Sequence, residues 1–140
     1  MLKQNIKVTV DAVVFGYTKQ QMQILLVKRK NDPHKGMWAL PGGFVEDDED
    51  LEPAAKRELE EETGLKIKEM EQLCTVGTPG RDPRFRTVSV VYYTVIDAAG
   101  QKIQAADDAA DAQWHNIKNL PEMAFDHEDI IEYAINYLNS

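Results

Sequence analysis

A chain of 140 residues, 43% hydrophobic and 29% charged, has the length of one domain and enough apolar content to bury a core, which excludes a disordered polypeptide. Its one cysteine, Cys74, excludes an internal disulfide and a multi-cysteine zinc site. The net charge of −8 sits entirely in residues 46–62, where ten acids meet only Lys56 and Arg57; the other 123 residues are neutral, and no nucleic-acid partner is expected. The opening MLKQNIKVTVDAVVF lacks the three-part pattern of a signal peptide. No apolar run approaches the roughly 18 residues of a membrane helix. A cytoplasmic chain with no membrane partner is therefore the expectation.

Residues 6–15, IKVTVDAVVF, are β-branched and partly alternating, and predict a strand. Residues 22–28 form a second apolar run, with a hairpin turn expected between them. A short apolar piece, 37–40, ends at the strong break Pro41-Gly42-Gly43. Residues 51–63 carry the composition of a helix, with Asp50 as N-cap, Pro53 tolerated in the first turn and Gly64 as the stop. Leu51, Ala55 and Leu59 are its expected buried stripe. Residues 66–76 predict a strand, 77–86 an arginine-rich loop, 87–96 a clear strand, 97–111 a polar loop and 112–117 a short strand. A second helix is expected over 126–138, with Ile130, Ile131, Ala134, Ile135 and Leu138 on one face. This order predicts an α/β fold over residues 1–140, a mixed sheet between helices instead of a regular doubly wound one.

Within the first helix, Glu58, Glu61 and Glu62 stand at i, i+3 and i+4, which places three carboxylates on one patch. Like charges so placed oppose the helix, and a solvated acidic face is the plainest reading of the charge alone. A hard divalent cation reverses that sign, because Mg²⁺ and Mn²⁺ prefer carboxylate oxygen.

The flanking residues narrow the choice. Gly43 is followed six residues later by Glu49, eight later by Arg57, and then by Glu58-Leu59-Glu60-Glu61-Glu62-Thr63-Gly64-Leu65. This segment resembles the Nudix box, G-x5-E-x7-R-E-U-x-E-E-x-G-U with U aliphatic, at every defined position from 43 to 65. The resemblance implies a Nudix hydrolase, with an α/β/α sandwich fold, that cleaves a nucleoside diphosphate linked to another group. It implies that Glu58, Glu61 and Glu62 bind Mg²⁺, or Mn²⁺, together with the Gly42 carbonyl. It also implies that Arg57 orients the glutamates and that Glu49 pairs with Arg57, while Gly43, Glu49 and Gly64 are structural parts of the box.

A carboxylate must take the proton of the attacking water. The box glutamates Glu58 and Glu61 are one source. In many similar proteins the base comes from a later loop, here residues 105–111, where Asp108 is preferred over Asp107 and Asp111. Two further stretches resemble the ADP-ribose pyrophosphatase-like branch of the family: Gly80-Arg81-Asp82-Pro83-Arg84 and Phe125-Asp126-His127. Arg81, Arg84 and Arg86 are candidate diphosphate ligands, since guanidinium binds phosphate bidentately. Lys28, Arg29 and Lys30 form a basic patch that could meet phosphate or close a strand.

Phe44 is the candidate substrate contact among aromatics that include Phe15, Tyr17, Phe85 and Tyr93. Trp38 and Trp114 are expected in packing; His127 either faces a substrate or caps the last helix, the cap or a surface position being favoured. ADP-ribose, cleaved to AMP and ribose 5-phosphate, is the substrate this branch implies, and a homodimer is the family's habit. Two alternatives stand beside it. One is a pyrophosphohydrolase of another nucleotide, such as a nucleoside triphosphate or a diadenosine polyphosphate. The other is a non-catalytic ADP-ribose-sensing domain of the kind that precedes a winged helix in some regulators of NAD metabolism. With Ser140 directly after the last helix, no room for that unit is expected, and a pure sensor has no need of all three glutamates.

Overall fold

The computed structural model describes residues 3–101, 103 and 109–140. Seven strands and two helices follow in the order β1 (Ile6–Tyr17), β2 (Met22–Arg29), β3 (Trp38–Ala39), β4 (Gly42–Phe44), α1 (Leu51–Thr63), β5 (Glu71–Val76), β6 (Arg86–Asp97), β7 (Ala109–Asn116) and α2 (His127–Leu138). The sheet runs β3-β2-β1-β6-β5, with β4 added to β1 and β7 to β2. β1 and β6 are parallel along their whole length, from Ile6 opposite Arg86 to Tyr17 opposite Asp97. The named neighbours of β1, β2 and β5 are otherwise antiparallel, so the sheet is mixed.

The period-two alternation of the strands makes two cores. Val10, Ala12 and Val14 of β1 pack with Leu25, Val90 and Tyr92 against Ala54, Ala55 and Leu59 of α1. Val13 and Phe15 pack with Ile24, Leu26 and Val91 against Ile130, Ile131 and Ala134 of α2. The sheet therefore lies between the helices as an α/β/α sandwich. α1 begins where the Asp50 side chain accepts the Leu51 N–H at 2.7 Å. It ends at Gly64, whose φ of 77° an L side chain rarely adopts and whose N–H returns to Glu60 O.

Five local expectations change. Leu138, expected on the buried face of α2, is exposed at the helix end. Pro41-Gly42-Gly43 is not simply a break: Gly42–Phe44 is a strand, with Gly42 opposite Asp11 on β1. Only glycine fits there, since a Cβ on Gly42 would lie 2.2 Å from Val10 O. The strand expected from residue 66 starts at Glu71, because the preceding segment is tied to α1: Met70 N–H donates to Glu52 Oε2 and Lys56 Nζ to Lys68 O. On α1, Leu51 is only half-buried and Ala54 joins the buried stripe. β7 starts at Ala109, three residues early, because Ala109 continues the pairing to Arg29 of β2.

Candidate active site

The sheet, α1 and the segments that follow β2, β4, β5 and β7 line a cleft of about 510 Å³. α1 contributes Arg57, Glu58, Glu61 and Glu62 to its lining. The helix aims them there because Ala54, Ala55 and Leu59 hold the other face of α1 on the sheet. Gly42, Gly43 and Phe44 of β4 also line the cleft. Gly43 passes so close to Glu58 that a Cβ would stand 2.2 Å from Oε2. Gly42 donates its N–H to Glu62 Oε1 at 2.7 Å.

Arg57 organises the acids. Its Nε and Nη2 donate to the two oxygens of Glu49 at 2.6 and 2.9 Å, a bidentate pair. Its Nη1 donates to Glu58 Oε1 at 2.7 Å and Glu61 Oε1 at 2.8 Å, and Nη2 reaches Phe44 O. The hydrogen bond to Glu49, with those to Glu61 and Glu58 against some burial, raises the Arg57 pKa above its ordinary value, so the group stays cationic. The same contact with Arg57 holds Glu49 below the usual carboxylate range. Burial pushes Glu58 above it, and Arg57 only partly offsets that. Glu58 and Glu61 thus close on a guanidinium and Glu62 on a backbone amide. Among the described residues, no three acids converge as the ligands of one ion. The donor set still suits a hard divalent cation: three carboxylates on adjacent turns of one helix, all on the cleft, with a side-chain-free glycine against one of them.

A basic set lines the same cleft. Arg29, at the end of β2, lies 4.9 Å above the Phe125 ring, and Arg84 lies 4.9 Å from the Phe85 ring and 5.9 Å from that of Phe125. Burial lowers the Arg29 pKa, and the like charge of Arg84 lowers it further. Asp82 holds Arg84 through both carboxylate oxygens. Burial works to raise the Asp82 pKa, but the hydrogen bonds from Arg84 outweigh it and the net shift is downward. Arg81 is 6% exposed at its side chain and donates twice to Asp126, at 2.9 and 2.7 Å.

Of the residues singled out in the sequence, Gly42, Gly43, Phe44, Arg57, Glu58, Glu61, Glu62, Arg81 and Arg84 line the cleft, and so does the basic patch Lys28, Arg29 and Lys30. Glu49 supports Arg57 from behind it, and Gly64 ends α1. Arg86 is not among the lining residues; it donates to Gly77 O. Asp107 and Asp108 lie outside the described residues, and Asp111 accepts the Ala112 N–H. Phe44 stands 5.8 Å from Phe85, ring to ring.

His127 is neither at the surface nor the helix cap: it is 6% exposed, lines the cleft, and accepts the Leu40 N–H on its Nδ1 at 3.0 Å. The helix cap is Asp126, one residue earlier. Burial lowers the His127 pKa, which keeps the ring neutral. Phe125, with φ of 53°, and Asp11 were not singled out as site residues. Asp11 had a signal, as the one acid inside the apolar run TVDAVVF.

The NUDIX domain model matches residues 6–134. The ADP-ribose pyrophosphatase of Methanocaldococcus jannaschii is 45% identical over 126 residues, covering 90% of this chain and 73% of that one. The ADPR responsive transcriptional repressor NtrR of Acinetobacter baylyi is 39% identical over 138 residues; the match covers 94% of this chain but only 54% of the repressor. Among solved structures, the NUDIX domain of Shewanella oneidensis NrtR complexed with ADP ribose superposes with a TM-score of 0.91 at 39% identity, over 97% of this chain and 90% of that one. A bifunctional NMN adenylyltransferase/ADP ribose pyrophosphatase from Francisella tularensis, complexed with AMP and a Mn ion, gives 0.85 at 37% identity, over 96% of this chain and 42% of that one. With an intact box on α1, the matching sandwich and a family match across nearly its whole length, this chain belongs to the Nudix hydrolase family.

Proposed function

We propose that this chain hydrolyses the diphosphate of ADP-ribose to AMP and ribose 5-phosphate, using Mg²⁺ held by Glu58, Glu61 and Glu62 with the Gly42 carbonyl. The observation that carries the reading is one cleft lined both by the acids of α1 and by the guanidinium groups of Arg29 and Arg84. A diphosphate ester needs a cation on one side and hydrogen-bond donors on the other. When bound, a divalent cation supplies neutralisation of the diphosphate oxygens and a lower pKa for the attacking water.

The chain does the rest. Arg84 and Arg29, kept in place by the Phe125 ring, meet the phosphoryl oxygens as fixed donors. Arg81, engaged by Asp126, completes that basic wall. Arg57 keeps Glu58 and Glu61 aligned from behind. The phosphorus–oxygen bond to water forms as the bridging bond breaks, and a carboxylate accepts the water's proton. Asp108 is the proposed base, with Glu61 as its alternative. Phe44 and Phe85 offer paired rings for an adenine.

Product analysis with ADP-ribose, with and without Mg²⁺, tests the proposal. AMP and ribose 5-phosphate formed only with the cation support it. Faster turnover of nucleoside triphosphates overturns the substrate. A second reading, ADP-ribose sensing without turnover, has one observation in its favour: the similarity to the A. baylyi repressor. Binding of ADP-ribose with no product under saturating Mg²⁺ selects it.

A further inference from the structure

We propose that His127 is a positioning residue for the cation site, setting the Leu40–Gly43 turn against the Glu58 and Glu62 carboxylates. The inference rests on the reading that those carboxylates hold a divalent cation.

The turn is held on successive residues. His127 Nδ1 accepts the Leu40 N–H at 3.0 Å, Ala12 N–H donates to Pro41 O at 2.8 Å, and Gly42 N–H donates to Glu62 Oε1 at 2.7 Å. One residue later, Gly43 leaves the space that Glu58 Oε2 fills. A displacement of Leu40 therefore reaches both carboxylates within three residues. Of these anchors, only His127 comes from α2; the others come from β1 and α1.

Asp11 braces the same arrangement from the sheet. Its Oδ2 accepts from Ser89 Oγ at 2.5 Å, and its Oδ1 faces His127 Nε2 at 3.8 Å. That Oδ1 also lies 2.5 Å from where a Gly42 Cβ would stand. Asp11, Ser89 and His127 are all buried. Because Nδ1 accepts, the proton of the neutral ring sits on Nε2, toward Asp11. The acceptor nitrogen is committed to Leu40, so the imidazole is not a general base toward a ligand in the cleft. Its effect on the chemistry passes through the turn, as a buried partner behind a ligand usually acts.

Direct titration with Mn²⁺, followed by electron paramagnetic resonance without nucleotide, tests this. Asparagine places its Oδ1 where His127 carries Nδ1 and keeps the acceptor, whereas glutamine carries its polar end toward Asp11 and loses it. His127→Asn is expected to hold Mn²⁺ within about threefold of the unaltered chain, and His127→Gln to lose about tenfold or more. For His127→Gln, kcat should fall with the KM for ADP-ribose unchanged. Equal Mn²⁺ affinity in both variants overturns the proposal. No Mn²⁺ binding by the unaltered chain instead overturns the cation reading beneath it.

Should the glutamine variant fail to fold, Mg²⁺ titration of the unaltered chain by nitrogen-15 NMR decides. The Leu40 amide and the His127 Nδ1 signals should shift with those of Gly42. Shifts at Gly42 that leave Leu40 and His127 still would refute the coupling.

Discussion

Two adjacent glycines separate the site from the fold. An alanine at Gly43 would put its Cβ 2.2 Å from Glu58 Oε2 and 2.7 Å from its Cδ. To reach the 3.4 Å of ordinary contact, that carboxylate must retreat by about 1 Å. The carboxylate is the far end of a side chain, so the fold can yield cheaply, at about 1 kcal/mol. The retreat moves the carboxylate of a residue that lines the cleft, and a misplacement of about 1 Å can cost ~100-fold in rate.

An alanine at Gly42 meets Val10 O at 2.2 Å and the Asp11 Cα at 3.0 Å, both backbone atoms of the central strand. Relief there requires β4 to part from β1, at about 3 kcal/mol. For a chain of this size, that corresponds to a fall in Tm of about 10 °C against about 3 °C for Gly43→Ala. Thermal denaturation and Mn²⁺ titration on both variants check the pair. Gly43→Ala should melt near the unaltered chain yet turn over at about 1% of its rate. Turnover and Mn²⁺ affinity within twofold of the unaltered chain would refute the placement of Glu58 in the chemistry.

Glu61→Gln should keep the fold and lower kcat by about 100-fold or more, because a neutral amide is a poor ligand for a hard cation; near-normal steady-state turnover would remove Glu61 from the site. Asp126→Asn leaves Arg81, 6% exposed, without its bidentate partner and should cost about 3 kcal/mol in urea unfolding. A loss under 1 kcal/mol would show that water already shares that guanidinium. Stability should also carry a histidine signature. Burial holds His127 below its ordinary 6.5 in the folded chain, with Asp11 and Asp126 opposing and Arg81 and Arg29 adding to the fall. Between the lowered value and 6.5 the unfolded chain binds a proton that the folded one does not. The contribution of His127 is therefore complete above about 6.5 and declines as pH falls below it. The Tm difference between the unaltered chain and His127→Asn, followed from pH 8 down to pH 5, should narrow or reverse below that point; a constant difference would contradict the burial.

What could be read along the chain was what neighbours along the chain decide. The three glutamates share a helix face because of their spacing alone, and Asp50 and Gly64 bound that helix for local reasons. Both cores follow from strand alternation, which a run such as VTVDAVVF displays openly. β4 was hidden because its strand character comes from the neighbour: two glycines pair with β1 only because nothing projects from them. His127 meets Leu40 across 87 residues, and Arg81 meets Asp126 across 45, and neither separation leaves a periodic trace. Arg29 is similar: as part of the basic patch 28–30 it reads equally as a phosphate contact or as the close of a strand, and the Phe125 ring that seats it comes from a distant segment.

The acids and the bases of the cleft are drawn from the chain in different ways. The three candidate cation ligands Glu58, Glu61 and Glu62 come from five consecutive residues of one helix, whereas Arg29, Arg84 and Phe125 come from three segments that meet only in the folded state. In the proposed reaction, the cation-holding carboxylates are therefore a local cassette, and the half that grips the substrate is assembled from the end of β2 and two loops. Loops can lengthen, shorten or exchange an arginine without disturbing the turn of helix beside them. Such a division lets one bond-breaking unit be handed from nucleotide to nucleotide over evolutionary time, and it marks the Arg29, Arg84 and Phe125 segments as the place to redirect this protein by design.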